Sequence, residues 1–358
     1  MVWDESHTPA LLPDLDAMAV TTHSSAQRAA SAVVSALSFL DLYASSSQRG
    51  RARLLDGASR PGPSSWIRRV PTSDRFAFLH PTDYVTALCL DLLVVPPHMR
   101  DMHCLPCARM QRASTIGPDG RHFVSCPHGL RLHTSVHDPV VHELIDLLDH
   151  VLGPSRVIGE RDGDRRALDQ WYAQHGGHLH HRPDIVLVGF DGPGTFTLID
   201  VKTLDPSGSS LAMHHGTAST PLARHRELER STPTDYLRGA PCPRGMRILC
   251  FAVSVFGSFG AEAQGLLRRL SRRCGRSVPP SLSGESSWAT PTFAPFARMS
   301  ISLACRRALA FSVRSSVVAD PASVEPQAIP ADPERSFQCA CHVDESDSDG
   351  PAVMDPGQ

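Results

Sequence analysis

Two short apolar runs separated by Asp191-Gly192-Pro193-Gly194 most constrain how this chain can fold. The first is Asp184–Phe190 and the second is Thr195–Val201, both short and rich in Val, Ile, Leu, Phe and Thr. A four-residue Gly- and Pro-containing loop between such runs is a hairpin signal, so the two are expected as adjacent antiparallel strands. Upstream, Val140, Val141, Leu144, Ile145, Leu148, Val151 and Leu152 recur at helical spacing. Asp138 is expected to cap that helix, Pro139 to sit in its first turn and Gly153-Pro154 to end it. A strand over Arg156–Glu160 is expected next. After the hairpin come a charged helix (Leu222–Arg230), an apolar strand (Arg247–Phe256), an amphipathic helix (Gly260–Arg273) and a last helix (Ala297–Val318). The fold class is therefore α/β, a mixed sheet flanked by helices with the order αβββαβ. The polar stretch Asp162–His181 reads as a loop, and the histidines at its end (His175, His178, His180, His181) as exposed side chains rather than ligands.

The hairpin has a chemical consequence. Side chains at i and i+2 of a strand share a face, so Asp200 and Lys202 project together. A matching register would set Asp184 beside Asp200. Two carboxylates held together repel unless a cation lies between them. Hard oxygen ligands suit Mg2+ or Mn2+, which can acidify a bound water and steady the charge on a phosphate under attack. Lys202 is the chain's sole lysine among 35 Lys+Arg residues. Lysine carries a compact charge that arginine cannot imitate, which fits a position beside such a water. Glu160, at the end of the preceding strand, is the preferred third acid, and Glu143, on the striped helix, is the alternative.

A second group is Cys104-Leu105-Pro106-Cys107 followed by His122 and Cys126. The spacing suits tetrahedral Zn2+ in a structural role, with Gly117-Pro118-Asp119-Gly120 turning the chain between the halves. His128 and His133 are alternative ligands for the second half. Cys339-Ala340-Cys341-His342 has no matching pair and is not read as a metal site. Ten cysteines are too few for a disulfide scaffold at this length. Their clustering suggests a reducing compartment, and the sequence shows no secretory signal, so a nuclear or otherwise intracellular location is expected.

Charge is unevenly distributed. Residues 318–358 carry nine acids and one arginine, so a chain of net charge −2 keeps +6 in the remainder. Arginines bunch at Arg49, Arg51 and Arg53, at Arg68-Arg69, and at Arg268-Arg269, Arg272-Arg273 and Arg276. Such clusters can hold phosphates, and an acidic tail can compete for the same surface. The expected organisation is a helical N-terminal region of unassigned role (1–95, with a helix over Ser25–Leu42), a zinc knuckle (96–133), a catalytic core (134–280), a C-terminal helix packed on it (281–318) and a disordered acidic tail (319–358).

Pro183-Asp184, fifteen residues, then Asp200-Val201-Lys202 resembles the PD-(D/E)XK, or restriction-like, nuclease superfamily. With the Cys-Cys-His-Cys knuckle upstream of Arg182-Pro183-Asp184, residues of about 50–318 resemble the C-terminal region of site-specific non-LTR retrotransposon proteins. The segment from Gly57 to Trp66, Pro71, and Phe251 to Leu267 with Gly257 and Gly260 carry the same likeness. The resemblance implies metal-dependent cleavage of DNA, with metal on Asp184 and Asp200 and Lys202 positioning the attacking water. Members often place a further basic residue on the helix after the second acid, where this chain offers only Arg224, Arg226 and Arg230. No Tyr-x-Asp-Asp polymerase motif is present. A zinc-containing DNA-binding remnant without cleavage is the alternative, and a zinc-stabilised interaction protein is the third reading.

Overall fold

The computed structural model describes residues 79–91, 94–110, 116, 122, 126, 132–161, 164–204, 221–286, 290 and 292–323, with a few positions between 37 and 45. Of the expected helix at Ser25–Leu42 only 37, 38 and 40–42 are described, and these are helical; the arginines before residue 70, His128, the side chain of His133, and the acidic tail from 324 lie outside the described residues. The elements in chain order are α1 (Pro81–Asp91), β1 (His103–Cys104), α2 (Leu105–Arg109), α3 (Leu132–Leu152), β2 (Val157–Gly159), α4 (Arg166–His175), β3 (Ile185–Val188), β4 (Phe196–Leu204), α5 (Pro221–Leu237), β5 (Met246–Ser254), α6 (Ala261–Arg273), α7 (Phe293–Ser315) and β6 (Val317–Val318).

Four strands form one mixed sheet in the order β2-β3-β4-β5. Strand β3 runs antiparallel to both β2 and β4, and β5 runs parallel to β4. Strand β4 is central and buried on both faces, which explains its near-continuous apolar run. Alternation along it sorts the core. Ile185, Leu187, Ile199, Val201, Leu249, Phe251 and Val253 face the larger cluster, shared with α3, α6 and α7. Val186, Leu198 and Ile248 face a smaller one, closed by Leu168 and Trp171 of α4 and Tyr236 and Leu237 of α5. The mixed α/β sheet flanked by helices is thus as expected.

Two local expectations are overturned. Helix α3 begins at Leu132, so Pro139 lies inside it rather than at its start. The Asp138 carboxylate is bound to His137 Nδ1 at 2.9 Å instead of capping a helix start. The stretch read as a loop contains α4. Its buried stripe is only Leu168 and Trp171, one turn apart, too short a pattern to stand out in a polar segment. Packing against Val186 and Leu198 fixes it.

The C-terminal helix α7 packs along α3 and α1. It is tied to α1 by two ion pairs, Arg306 to Asp91 at 2.6 Å and Arg314 to Asp83 at 3.4 Å. Directly after it, β6 pairs with β1, and Leu105 N–H donates to Ser316 C=O at 2.9 Å. The cysteine-bearing segment is therefore joined to the chain's C-terminal helix by backbone pairing.

The edge of β5 is sealed by α6. Cys250 N–H donates to Glu262 Oε2 at 2.8 Å, and Gly260 N–H donates to Ala252 C=O at 2.9 Å. Glu229 of α5 in turn accepts from Glu262 N–H at 2.7 Å, placing a carboxylate at the start of α6. A Cβ at Gly260 would fall 2.4 Å from that Glu229 oxygen, so a larger residue there would displace the carboxylate from the start of α6.

Candidate functional site

The β3–β4 register pairs Ile185 with Ile199, and Asp184 N–H donates to Ile199 C=O at 3.1 Å, so Asp184 stands opposite Asp200. Asp200 and Lys202 continue the row begun by Leu198, on the side of the smaller core cluster. Lys202 Nζ lies 2.7 Å from Asp200 Oδ2. Asp200 is 6% exposed, and its Oδ2 receives no well-directed hydrogen bond among the described residues. Burial pushes the Asp200 carboxyl above its ordinary range, and the Asp184 charge adds to this against the pull of Lys202. Lys202 is itself held above its usual value: burial works against its charge, but Asp200 outweighs it.

Asp184 has a different set of partners. Its Oδ2 accepts from Val201 N–H at 2.7 Å and lies 3.3 Å from His137 Nε2. His137 is partly buried, which disfavours its charge, yet the carboxylates of Asp184 and Asp138 raise it to about 9. One acid is therefore matched by an imidazolium and the other by an ammonium.

The acids open into two neighbouring clefts. Asp200, Lys202, Tyr236 and Arg238 line one of about 660 Å³. Asp184, His137, Glu160 and Arg165 line one of about 260 Å³. Arg182 lines both, and its side chain pairs with Asp169 of α4.

Tyr236 is a member of the site that sequence reasoning missed. Its hydroxyl lies 3.1 Å from Asp200 Oδ1 and 3.1 Å from the Arg182 carbonyl. One hydroxyl proton serves two acceptors, so the phenol ties the β4 acid to the backbone just before Asp184. It comes from the end of α5, beyond the residues first read as that helix, and no local motif marks it.

The third acid is not gathered with the other two. Glu160 forms an ion pair with Arg165 and shares a cleft with Asp184 but not with Asp200. Glu143, on α3, lines neither cleft. Among the described residues, the cysteine–histidine group is the one place where three or more His, Cys, Asp or Glu ligand atoms lie within 4.8 Å of one another.

That group is Cys104, Cys107, His122 and Cys126. Cys104 Sγ lies 3.4 Å and Cys107 Sγ 3.6 Å from Cys126 Sγ, and Cys107 Sγ lies 3.3 Å from His122 Nε2. A tetrahedron with ligands at about 2.3 Å from its centre has edges of about 3.8 Å, so these separations suit a metal ion such as zinc. They are too long for disulfides, and the three cysteines are free. The four expected ligands are thus brought together.

The basic end of α6 lies away from the acids. Arg269 and Arg273 stack on the Phe190 ring at 4.3 and 4.7 Å, and they bind Asp191 and the Phe190 carbonyl. Phe190 and Asp191 sit at the turn of the hairpin, the far end of β3 from Asp184. Arg224 pairs with Glu227, and neither Arg226 nor Arg230 lines either cleft.

No family model, curated protein or solved structure matches this chain. Among the described residues no helix is long and apolar enough to cross a membrane.

Proposed function

We propose that this protein is a metal-dependent endonuclease of the restriction-like type, hydrolysing phosphodiester bonds in DNA. The observation carrying the reading is the strand register that sets Asp184 opposite Asp200, with Lys202 two residues on and on the same face as Asp200. The order α3-β2-β3-β4-α5-β5, with α4 added, accords with it.

Asp184 and Asp200 are the residues that would hold Mg2+ or Mn2+. The donor set fits a hard cation: two carboxylates, the charge of Asp184 helping to raise Asp200, whose buried Oδ2 lacks a directed hydrogen bond. The metal would supply an acidified water and charge stabilisation at phosphorus. Lys202 is positioned to orient the water oxygen that attacks phosphorus as the bond to the leaving oxygen breaks and that oxygen takes up a proton. Tyr236 holds Asp200 in place, and His137 does the same for Asp184. The Cys-Cys-His-Cys group would carry Zn2+ in a structural role.

One observation favours a second reading, a zinc-containing DNA-binding remnant that no longer cleaves: the two acids open into separate clefts, and Glu160 is engaged by Arg165. Nicking of supercoiled duplex DNA in Mg2+ or Mn2+ decides between them. Cleavage by the wild type that Lys202→Ala removes supports the nuclease. Salt-sensitive binding with no metal-dependent cleavage supports the remnant.

A further inference from the structure

Arg238 ends α5 in an unusual backbone state. Its φ is +45°, and Gly239 follows at +83°. Ala240 N–H donates to Leu237 C=O at 2.8 Å, closing a turn that spans both residues. Two successive left-handed residues in a closed turn favour Asn, Asp or Gly at the first position, because a Cβ crowds the following carbonyl. Arginine there costs about 1 kcal/mol or more. The protein's other left-handed arginine, Arg276, is held by the fold. Its N–H donates to Ser271 C=O at 2.7 Å, and its carbonyl accepts from Phe293 N–H at 3.0 Å.

The side chain's position is the second observation. Arg238 is exposed and forms no ion pair among the described residues. It lines the 660 Å³ cleft that also contains Asp200, Lys202 and Arg182, of which Lys202 is paired with Asp200 and Arg182 with Asp169. The geometry points to this cleft as a phosphate-binding subsite for the nucleic-acid backbone, with Arg238 as its guanidinium clamp. A planar guanidinium matches phosphate oxygens in bidentate fashion, which gives a reason for arginine where the backbone would favour glycine or asparagine. Asp235 lines the same cleft. The inference rests on the reading of the site as one that handles nucleic-acid phosphates, and it does not require cleavage.

The test uses the full chain, with its zinc, and the substitutions Arg238→Gly and Arg238→Asn, which suit the left-handed backbone. Binding to a fluorescein-labelled DNA duplex is followed by anisotropy over a range of NaCl without added Mg2+, and thermal midpoints are measured alongside. Both variants are expected to melt at or above the wild-type midpoint and to bind roughly three- to tenfold more weakly at low salt. Their log–log salt dependence should be shallower by about one, as loss of one phosphate contact requires. Wild-type affinity and slope in the folded variants would overturn the proposal. A lowered midpoint in both would assign Arg238 to the helix end instead. A wild type that binds but never cleaves leaves the subsite standing and removes the nuclease reading.

Discussion

Asp184 and Asp200 stand opposite one another at the end of the β3–β4 ladder, yet each is matched by its own cation, His137 for the first and Lys202 for the second. The carboxylates come from strands that a single turn joins, and the cations from different elements, α3 and β4. Each acid's charge is thus balanced, at the cost of burying Asp200 almost completely.

Removing one charge from this pair should separate chemistry from stability. Asp200→Asn keeps the shape, removes a buried charge and leaves Lys202 partly solvated. DNA cleavage is expected to fall by at least about a hundredfold, since a metal site supplies several kcal/mol to the barrier. The thermal midpoint should not drop. Nicking assays and thermal melts on the same preparation check both, and undiminished cleavage contradicts the metal role of Asp200.

Tyr236→Phe deletes only the hydroxyl that bridges Asp200 and the Arg182 carbonyl. A stability loss of about 1–2 kcal/mol is expected, the scale for a hydrogen bond removed from a buried site. As a positioning residue, Tyr236 should also affect metal dependence: the variant should need more Mg2+ for half-maximal cleavage. A stability loss with an unchanged Mg2+ requirement would restrict Tyr236 to packing.

Metal removal acts on a different part of the molecule. One zinc per chain is expected, measured by elemental analysis, with Cys107→Ser reducing it. Because β1 pairs with β6 at the end of α7, loss of zinc should be felt beyond the knuckle. A chelator is expected to lower the thermal midpoint by roughly 3–4 °C, corresponding to about 2–3 kcal/mol for a chain of this size. An unchanged midpoint after demonstrated zinc loss would show that the strand pairing does not depend on the metal.

His225 gives a pH signature. It is 2% exposed, its Nε2 has no hydrogen-bond partner among the described residues, and burial lowers its pKa to about 4. The unfolded chain takes up this proton near pH 6.5 and the folded chain near 4. Between those values the unfolded state binds more protons, so stability falls as pH falls through that window. The loss should reach about 3 kcal/mol below pH 4. Denaturant titrations at several pH values check the slope, and His225→Leu should flatten it.

The hairpin was legible because its signal is local. Short runs of strand-forming residues around Asp191-Gly192-Pro193-Gly194 leave few alternatives to a hairpin, but that turn did not fix the register: the ladder closes at Val188 and Phe196, whereas a loop of only 191–194 would have set Asp184 opposite Val201 rather than Asp200. The spacing of Cys104, Cys107, His122 and Cys126 was legible for a similar reason, since a shared ligand geometry restricts the intervals in the chain. Helix α4 was not, because its Leu168–Trp171 stripe gains meaning only against Val186 and Leu198. Glu160, expected as the third acid from its place beside β2, lines the cleft of Asp184 and is paired with Arg165, a partner that its position in sequence did not reveal. The Arg268–Arg276 cluster suggested a phosphate grip, while two of its members enclose Phe190 at the far turn.

Sequence by itself determined the strands, their alternation, and so the face on which Asp200 and Lys202 project, because backbone periodicity and turn chemistry act over a few residues. Tertiary structure alone decided which distant groups meet that face: His137 from α3, Tyr236 and Arg238 from the end of α5, and Arg182 between the two clefts. Those meetings depend on how helices pack across a twisted sheet. Packing is set by the summed burial of many side chains, and no short motif encodes that sum.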